Sequence, residues 1–301
     1  MTTNQGFKSL VPGPRLDAKF LYHWLKSKTT YLQSLGNGAT FKELSKKTTE
    51  QIKIPLPAIT EQRRIAAILD HADALRAKPR QVLAHLDALT QSVFHDMIGD
   101  PIANSAGLPV KVLKDWIAPN RPITYGILKP GPSASDGVPY VRVADMQNRG
   151  IELRGVRRTT QAIAAEYRRS ILRPGDLLMS IRGHVGRFAF VPEVLDGANI
   201  TQDSARLAVN DPDAALYLRV AMESPSAQHW MARRTKGAAV KGINLGDLRE
   251  LPLPMPLVGD IKRLAEVVRQ VEHQREIAQS MTAPVNELIS ALQSEAFAGE
   301  L

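Results

Sequence analysis

The sequence contains no cysteine, and none of its 301 residues fall in a run of about 18 apolar residues. The absence of cysteine excludes disulfide scaffolds, cysteine-ligated zinc, iron–sulfur clusters and thiol nucleophiles. The amino terminus has neither a basic nor an apolar signal region. These absences predict a cytoplasmic protein that is neither exported nor anchored in a membrane.

Several catalytic signatures are also missing. The sequence has no Glu-x-Lys of the kind that holds Mg²⁺ in PD-(D/E)xK nucleases, no G-x-x-x-x-G-K-[ST] phosphate loop and no N-P-P-[YF]. No G-x-G fingerprint opens a helix, and the seven histidines show no H-E-x-x-H or H-x-x-x-H spacing. The sequence therefore predicts a protein without a catalytic centre or a metal site.

The positive charge is unevenly distributed along the chain. The net charge of +9 divides into +6 over residues 1–57, zero over 58–98, +6 over 99–256 and −3 over 257–301. A local basic excess is typical of a polyanion partner such as nucleic acid. The alternative is a basic surface that only keeps the protein in solution.

The basic segments belong to an internal duplication. Matching stretches lie 197 to 199 residues apart: Pro55–Pro57 with Pro252–Pro254, Gly38–Lys42 with Gly237–Lys241, and Arg64–Ala66 with Arg263–Ala265. Residues 101–197 have no counterpart. The pattern predicts a two-unit protein whose first unit lacks its amino-terminal half.

Residues 58–98 and 257–301 are predicted to form two long helices. Apolar residues recur there at three- and four-residue steps, with Thr60 as a candidate N-cap. The first helix would extend about 60 Å. Pro79 is expected to kink or break it, and Pro284 to interrupt the second. Each apolar seam is narrow, so we expect the helices to pair as an antiparallel coiled coil rather than lie separately on a globular surface.

Residues 99–256 are predicted to form a mixed α/β domain with an antiparallel-rich sheet. Its expected strands are 139–143, 176–180, 188–191 and 205–209. Its expected helices are Asp213–Ser224 and Ser226–Arg234, the latter with Ser226 as N-cap. Residues 1–57 hold only one strand, the helix Asp17–Ser27 and the run into Pro55, which is too little to bury a core alone.

Four segments carry motifs of one known family. Pro55–Asp70 has the pattern P-L-P-x-x-x-E-Q-x-x-I, which resembles the start of the central helical region in the specificity subunits of type I restriction–modification systems. Phe94–Pro101 resembles the end of that region, and Glu295–Leu301 resembles the carboxyl-terminal ending. Arg173–Ser180, followed by Gly186 and Arg187, resembles the core strand of a target recognition domain.

The resemblance implies an α+β fold. It divides the chain into the remnant of a first target recognition domain (1–57), a central long helix (58–98), a complete mixed α/β recognition domain (99–256) and a carboxyl-terminal long helix (257–301). It also implies a non-catalytic subunit that binds double-stranded DNA at a split site. The implied partners are adenine methyltransferase subunits and a restriction and translocase subunit. S-adenosylmethionine, ATP and Mg²⁺ are expected only in those partners.

The sequence departs from the family pattern in three places. The first recognition domain is incomplete, Pro79 lies inside the central helix, and Val258–Asp260 replaces the Glu-Gln of the second copy. The alternative function is therefore a truncated or silent specificity gene product. Such a product would be a half-subunit that homodimerises or a non-functional remnant.

Two loops are the main candidates for DNA contact. Arg182–Arg187 follows a strand, and its glycines allow close approach to a phosphate; Lys236–Asn244 is the second, with Lys42 and Ser45 as repeat counterparts of Lys241 and Asn244. The alternatives are a surface hairpin and a loop that packs on the helices. The predicted DNA-binding residues are Arg142, Arg182, His184, Arg187, Lys236, Lys241 and Asn244.

Further candidates carry a structural alternative. For Arg142 the favoured alternative to DNA contact is an ion pair with Asp145. Asn199 and Gln202 suit base reading but are better explained as turn residues. The arginine pairs 157–158 and 168–169 are interpreted as solvated. The predicted partner-binding residues on the two long helices are Glu61, Arg64, Ile65, Ile68, Arg263 and Leu264.

Overall fold

A computed structural model describes residues 7–37, 43–237 and 240–299. Its helices are α1 (Ala18–Ser27), α2 (Thr29–Ser34), α3 (Lys46–Glu50), α4 (Ile59–Ile98), α5 (Gln161–Glu166), α6 (Pro212–Glu223), α7 (Pro225–Arg234), α8 (Leu245–Arg249), α9 (Val258–Ser280) and α10 (Thr282–Ala298). Its strands are β1 (Val110–Val112), β2 (Thr124–Tyr125), β3 (Val138–Val141), β4 (Met146–Gln147), β5 (Gly150–Ile151), β6 (Arg157–Thr159), β7 (Leu177–Ser180), β8 (Phe188–Phe190), β9 (Asn199–Ile200), β10 (Ser204–Leu207) and β11 (Pro252–Pro254).

The chain divides into two compact units. The first consists of Met1–Leu86 with His273–Leu301, and the second of Asp87–Glu272. All eleven strands of the described residues lie in the second unit. The single strand expected within residues 1–57 is absent from the described part of that segment, where Asn37 and Glu43 form only an isolated antiparallel bridge.

The structure repeats the order of its helices. The series α1, α2, α3, α4 corresponds to α6, α7, α8, α9. The capping residues correspond as well, because Asp17 and Asp211 cap α1 and α6 while Ser45 and Asn244 cap α3 and α8. These common caps satisfy free N–H groups of the first helical turn in each copy. The sequence match at Gly38–Lys42 lies outside the described residues.

Within each unit, helix α4 and the carboxyl-terminal helical segment (α9 and α10) run antiparallel to each other. In the first unit, residues near the start of α4 (Ile65, Leu69) share a core with Ala296 near the end of α10. In the second unit, Phe94 near the end of α4 shares a core with Leu264 near the start of α9. The predicted antiparallel pairing is thus confirmed, and the alternative of two independent surface helices is wrong.

Three details of the helix prediction need correction. Helix α4 begins at Ile59, so Thr60 lies inside its first turn rather than capping it. It continues through Pro79 to Ile98 without a break, although a proline cannot donate the usual hydrogen bond. The carboxyl-terminal segment is interrupted as expected, but at Met281, where α9 and α10 meet, so that Pro284 lies in the first turn of α10, where a missing N–H costs little.

The second unit is built around a mostly antiparallel sheet. Strands β2, β10, β7 and β8 form its four-stranded sheet, and a three-stranded sheet has the order β6, β3, β9, with β3 and β9 parallel. Leu177, Met179, Ala205 and Leu207 project from the central strands into the core that also holds α6. The predicted antiparallel-rich domain is confirmed.

The predicted elements of this unit lie within a few residues of the observed ones. One local prediction is wrong, because the side chain that caps α7 is Ser224, which accepts a hydrogen bond from the N–H of Ala227 at 3.3 Å, rather than Ser226. Throughout the described ranges, no helix combines the length and the apolar character needed to cross a membrane.

Candidate nucleic-acid interface

The first candidate loop is shaped by the end of β7. The hydroxyl of Ser180 accepts a hydrogen bond from the N–H of Arg187 at 2.8 Å and donates one to the carbonyl of His184. Gly183 and Gly186 have φ angles of +72° and +90°, which side chains rarely permit. The loop therefore turns tightly and leaves the side chains of Arg182, His184 and Arg187 exposed.

The second candidate loop joins α7 to α8. Lys236 and Gly242 exchange backbone hydrogen bonds of 2.8 and 2.9 Å, which close the loop at its base. Gly237 has a φ angle of +121°, where a Cβ atom would lie 2.2 Å from the carbonyl oxygen of Val240. Lys236, Val240 and Lys241 are exposed at its surface.

The two loops lie side by side. The N–H of Gly183 donates to the carbonyl of Lys241 at 2.9 Å, and the N–H of Ile243 donates to that of Ile181, also at 2.9 Å. Together they line an open cleft of about 660 Å³, whose polar lining residues are Arg182, His184, Gln202, Asp203, Lys236 and Asn244. Residues 54 positions apart in the sequence are thus brought to one concave surface.

The cleft is basic and carries amide groups. Asp203 is the one carboxylate among its described lining residues, against Arg182 and Lys236. The guanidinium of Arg182 donates to Oε1 of Gln202 at 2.9 Å and lies 3.9 Å from the carboxylate of Asp203, with about half of each charged side chain exposed. An arginine beside a glutamine is a pair of side chains well suited to base edges in the major groove.

Gln202 is the cleft residue that sequence reasoning undervalued. Its N–H does donate to the carbonyl of Ile127 at 3.0 Å, as a turn residue would, but its side chain faces the cleft. The signal available in the sequence was its amide side chain next to Asp203, just before β10. Asn199 is fully buried instead, and its side chain accepts a hydrogen bond from the hydroxyl of Ser170.

Arg142 forms the ion pair with Asp145 that was the alternative to DNA contact. Its guanidinium donates to both carboxylate oxygens of Asp145, at 3.0 and 2.6 Å, and to the carbonyl of Gly155 at 2.8 Å. The hydrogen bonds that the guanidinium donates to this buried carboxylate raise the pKa of Arg142. Arg142 does not line the cleft, and its contacts hold the turn after β3 in place.

Two other predicted DNA-binding residues, Asn244 and Arg187, differ in where the structure places them. Asn244 caps α8, because its side chain accepts a hydrogen bond from the N–H of Asp247 at 2.7 Å, as Ser45 does for Thr48 at 3.0 Å in the first copy. Its place at the rim of the cleft is thus a property of the shared scaffold. Arg187 lies apart, in a neighbouring depression with Arg149 and Phe188.

The residues predicted to bind partners divide into charged residues, which form ion pairs, and apolar residues. Arg64 pairs with Glu61 at 2.7 Å and Arg263 pairs with Asp260 at 2.6 Å, so each copy carries the same exposed ion pair at the start of its long helix.

The apolar members of the set differ in accessibility. Ile65 and Leu264 are buried at 3% and 0% exposure in the cores of their own units, so their side chains are not accessible to a partner. This corrects their assignment as contact residues, because they stabilise the helices from inside. Ile68 is half-buried.

The family model described as "Type I restriction modification DNA specificity domain" matches residues 1–84 and 129–296. The specificity subunit of the type I restriction enzyme EcoBI from Escherichia coli is 29% identical over 97% of this chain and 67% of its own length. That of EcoKI is 24% identical over the same shares. The chain therefore spans about two thirds of the length of these relatives.

Solved structures show the same fold. The type I restriction–modification S subunit from M. genitalium has a TM-score of 0.53 at 15% identity, covering 94% of this chain and 73% of that one. A chain from a study of complex assembly and conformational transition of the type I R-M system has a TM-score of 0.54 at 21% identity, covering 94% of this chain and 71% of that one. With the family model covering most of its residues, the chain belongs to the type I restriction–modification DNA specificity family.

Proposed function

We propose that this chain is a DNA-recognition subunit that directs partner methyltransferase and restriction subunits to their site. The observation that carries the proposal is the cleft between the loops 182–187 and 236–244, where Arg182, His184, Lys236 and Gln202 meet on one open basic surface. Lysine and arginine would hold the phosphate backbone, and the Arg182–Gln202 pair would read base edges.

Recognition by this chain is proposed to rest on its second unit. In the described residues, both the four-stranded and the three-stranded sheet belong to that unit, as does the cleft. One such unit would read one half of a split site. A second copy of the chain would supply the other half, which is the homodimer alternative for this subunit.

The long helices are the proposed attachment surface for adenine methyltransferase subunits. The exposed ion pairs Glu61–Arg64 and Asp260–Arg263 recur at equivalent positions of α4 and α9, so two copies of one partner would find the same charges. Helix α4, with 40 residues, is about 60 Å long and offers the partners a long rigid support.

The chemistry is proposed to take place in the partners. S-adenosylmethionine would bind to the methyltransferase, and ATP and Mg²⁺ to the restriction and translocase subunit. This chain would contribute binding and position without a catalytic step of its own.

The test is methylome sequencing of cells that express the chain with its methyltransferase partner. We expect one methylated motif with the wild-type chain and its loss with R182Q/K236Q. R168Q/R169Q is the matched control, because it removes two exposed arginines from outside the cleft. A methylated motif that is unchanged by R182Q/K236Q would refute DNA recognition by the cleft. The absence of any methylated motif with the wild-type chain would favour a non-functional remnant.

Size measurement decides between the forms of the subunit. Light scattering of the purified chain should give the mass of a dimer if two copies read the two half-sites. A monomer that still yields one methylated motif with its partner would overturn the homodimer alternative.

A further inference from the structure

Helix α7 presents two arginines that form no ion pair with any described carboxylate. Arg233 and His229 are exposed on it and Arg234 is half-buried, and within the described ranges neither arginine has a carboxylate within 4.0 Å. These three residues, with Trp230, line an open depression of about 680 Å³. We call this surface the α7 face.

Asp100 is the one acidic residue among the described residues that line that depression. It accepts hydrogen bonds from the N–H groups of Ile102 and Ala103, both at 2.8 Å, and these bonds fix the turn after α4. Its single negative charge faces the two arginines, so the lining keeps a net positive charge.

Arg234 is held in a fixed orientation. Its guanidinium carbon lies 3.6 Å from the centre of the Trp230 ring, and Nη1 donates to the carbonyl of Trp230 at 3.3 Å. Stacking on an aromatic ring fixes the plane of a guanidinium while its other N–H groups remain available. A guanidinium fixed in this way is well suited to two parallel hydrogen bonds with a phosphate.

The α7 face adjoins the proposed DNA cleft along the chain, because Arg234 of the face precedes Lys236 of the cleft by two residues. Helix α7 also supports the first cleft loop, since Gln228 donates to the carbonyl of Gly186 at 3.3 Å and to that of Met222 at 2.8 Å. Gln228 makes these contacts from a different side of the helix than the one that carries Arg233 and Trp230.

Comparison of α7 with its repeat counterpart α2 shows which residues of the helix occur in both copies. At the offset of 199 residues that relates Asn37 and Glu43 to Lys236 and Gly242, Trp230 corresponds to Tyr31. Arg233 and Arg234 correspond to Ser34 and Leu35. The aromatic position is thus common to both helices, whereas the arginines occur only in the copy that carries the recognition sheet. The shared helix does not need them for folding.

We propose that the α7 face binds the phosphodiester backbone of duplex DNA that flanks the bases read in the cleft. This inference rests on the proposed DNA-recognition function and extends its footprint beyond the two loops. The ligand is the phosphate chain itself, so the contribution is independent of base sequence and depends on salt.

The first experiment measures DNA affinity against salt concentration by fluorescence anisotropy, with the full chain bound to its methyltransferase partner. Each phosphate contact contributes about 0.9 to the slope of log K against log salt. We expect R233Q/R234Q to lower the slope by about 1.8 and R233Q alone by about 0.9. R168Q/R169Q should leave it unchanged.

The second experiment shortens the duplex from each end in turn. Removing the flank that covers the α7 face should weaken wild-type binding and leave R233Q/R234Q nearly unaffected, because the contacts are already lost. R182Q/K236Q could weaken DNA binding while R233Q/R234Q matches the wild type in salt slope and in dependence on duplex length. In that case the α7 face does not bind DNA, and DNA recognition by the cleft is still supported. If the wild-type complex binds no DNA, the proposed function fails as well.

Discussion

Arg149 occupies a position whose loss should measurably destabilise the second unit. It lies with Asn148 in the tight turn between β4 and β5, and both residues have positive φ angles, 64° and 50°. Its guanidinium reaches three carboxylates, at 3.1 Å from Asp87, 3.0 Å from Glu223 and 3.1 Å from Glu272. This ion-pair cluster connects the turn to α4, α6 and α9.

The expected loss in the free energy of unfolding follows from the carboxylates that lose their partner in R149A. Glu223 and Glu272 are 15% and 26% exposed, and both also pair with Arg219, at 3.3 and 2.9 Å, a contact that R149A leaves in place. Removing one partner of a buried pair costs about 3–5 kcal/mol. Asp87 is 44% exposed and can be hydrated again. We therefore expect a loss of about 3 kcal/mol, at the lower end of that range.

The assay is urea unfolding followed by tryptophan fluorescence. Trp116 and Trp230 report on the second unit, and a W24F background removes the one tryptophan of the first. R154A is the control at an exposed arginine and should change the free energy of unfolding by less than about 0.5 kcal/mol.

A double variant sharpens the test. R149A/E223Q should recover part of the loss, because it removes one of the carboxylates that repel each other in R149A. A loss below about 1 kcal/mol for R149A, or no recovery in the double variant, would show that the cluster contributes no more than a surface ion pair.

Three further predictions concern the cores and the loop. L264A should lower the free energy of unfolding of the second unit by about 2–5 kcal/mol, since this side chain is fully buried; a loss near zero in urea unfolding would contradict that. The hydrogen bond from Lys19 lowers the pKa of Asp70, so its stabilising effect is present above the ordinary value of 3.8 and is lost as pH falls through the lowered pKa. D70N should therefore be less stable than the wild type at neutral pH, with a difference that disappears in acid, and a pH-independent difference followed by Trp24 fluorescence would refute this. G186A should weaken DNA binding without unfolding the chain, as a Cβ atom there would lie 2.4 Å from Oε1 of Gln228 at a φ of +90°; anisotropy with a circular dichroism control measures it, and wild-type affinity would contradict it.

The sequence was sufficient for features that depend on periodicity and local signals. Apolar spacing located both long helices, and the internal repeat indicated their antiparallel relation, which the cores around Leu69 and Leu264 confirm. Helix ends were less predictable, because the same short segment can offer two capping serines. Ser224 rather than Ser226 caps α7, since a proline suited to the first helical position follows Ser224.

The candidate site shows why individual residues could not be settled in the same way. Both cleft loops were found from glycines and cations in the sequence, but their contact through Gly183 and Lys241 is a tertiary hydrogen bond. Whether an arginine is free depends on what lies near it in space. Arg142 and Arg182 look alike in sequence, yet the first is bound by a buried carboxylate and the second faces an open cleft.

The most direct test of the account is site-specific photocrosslinking to duplex DNA. A benzophenone side chain at Val240, which is 63% exposed and lines the cleft, should crosslink to the duplex in the complex with the methyltransferase. The same group at Val194, which is 67% exposed and not among the lining residues, should not. Crosslinking from position 194 without crosslinking from position 240 would contradict DNA recognition by this cleft.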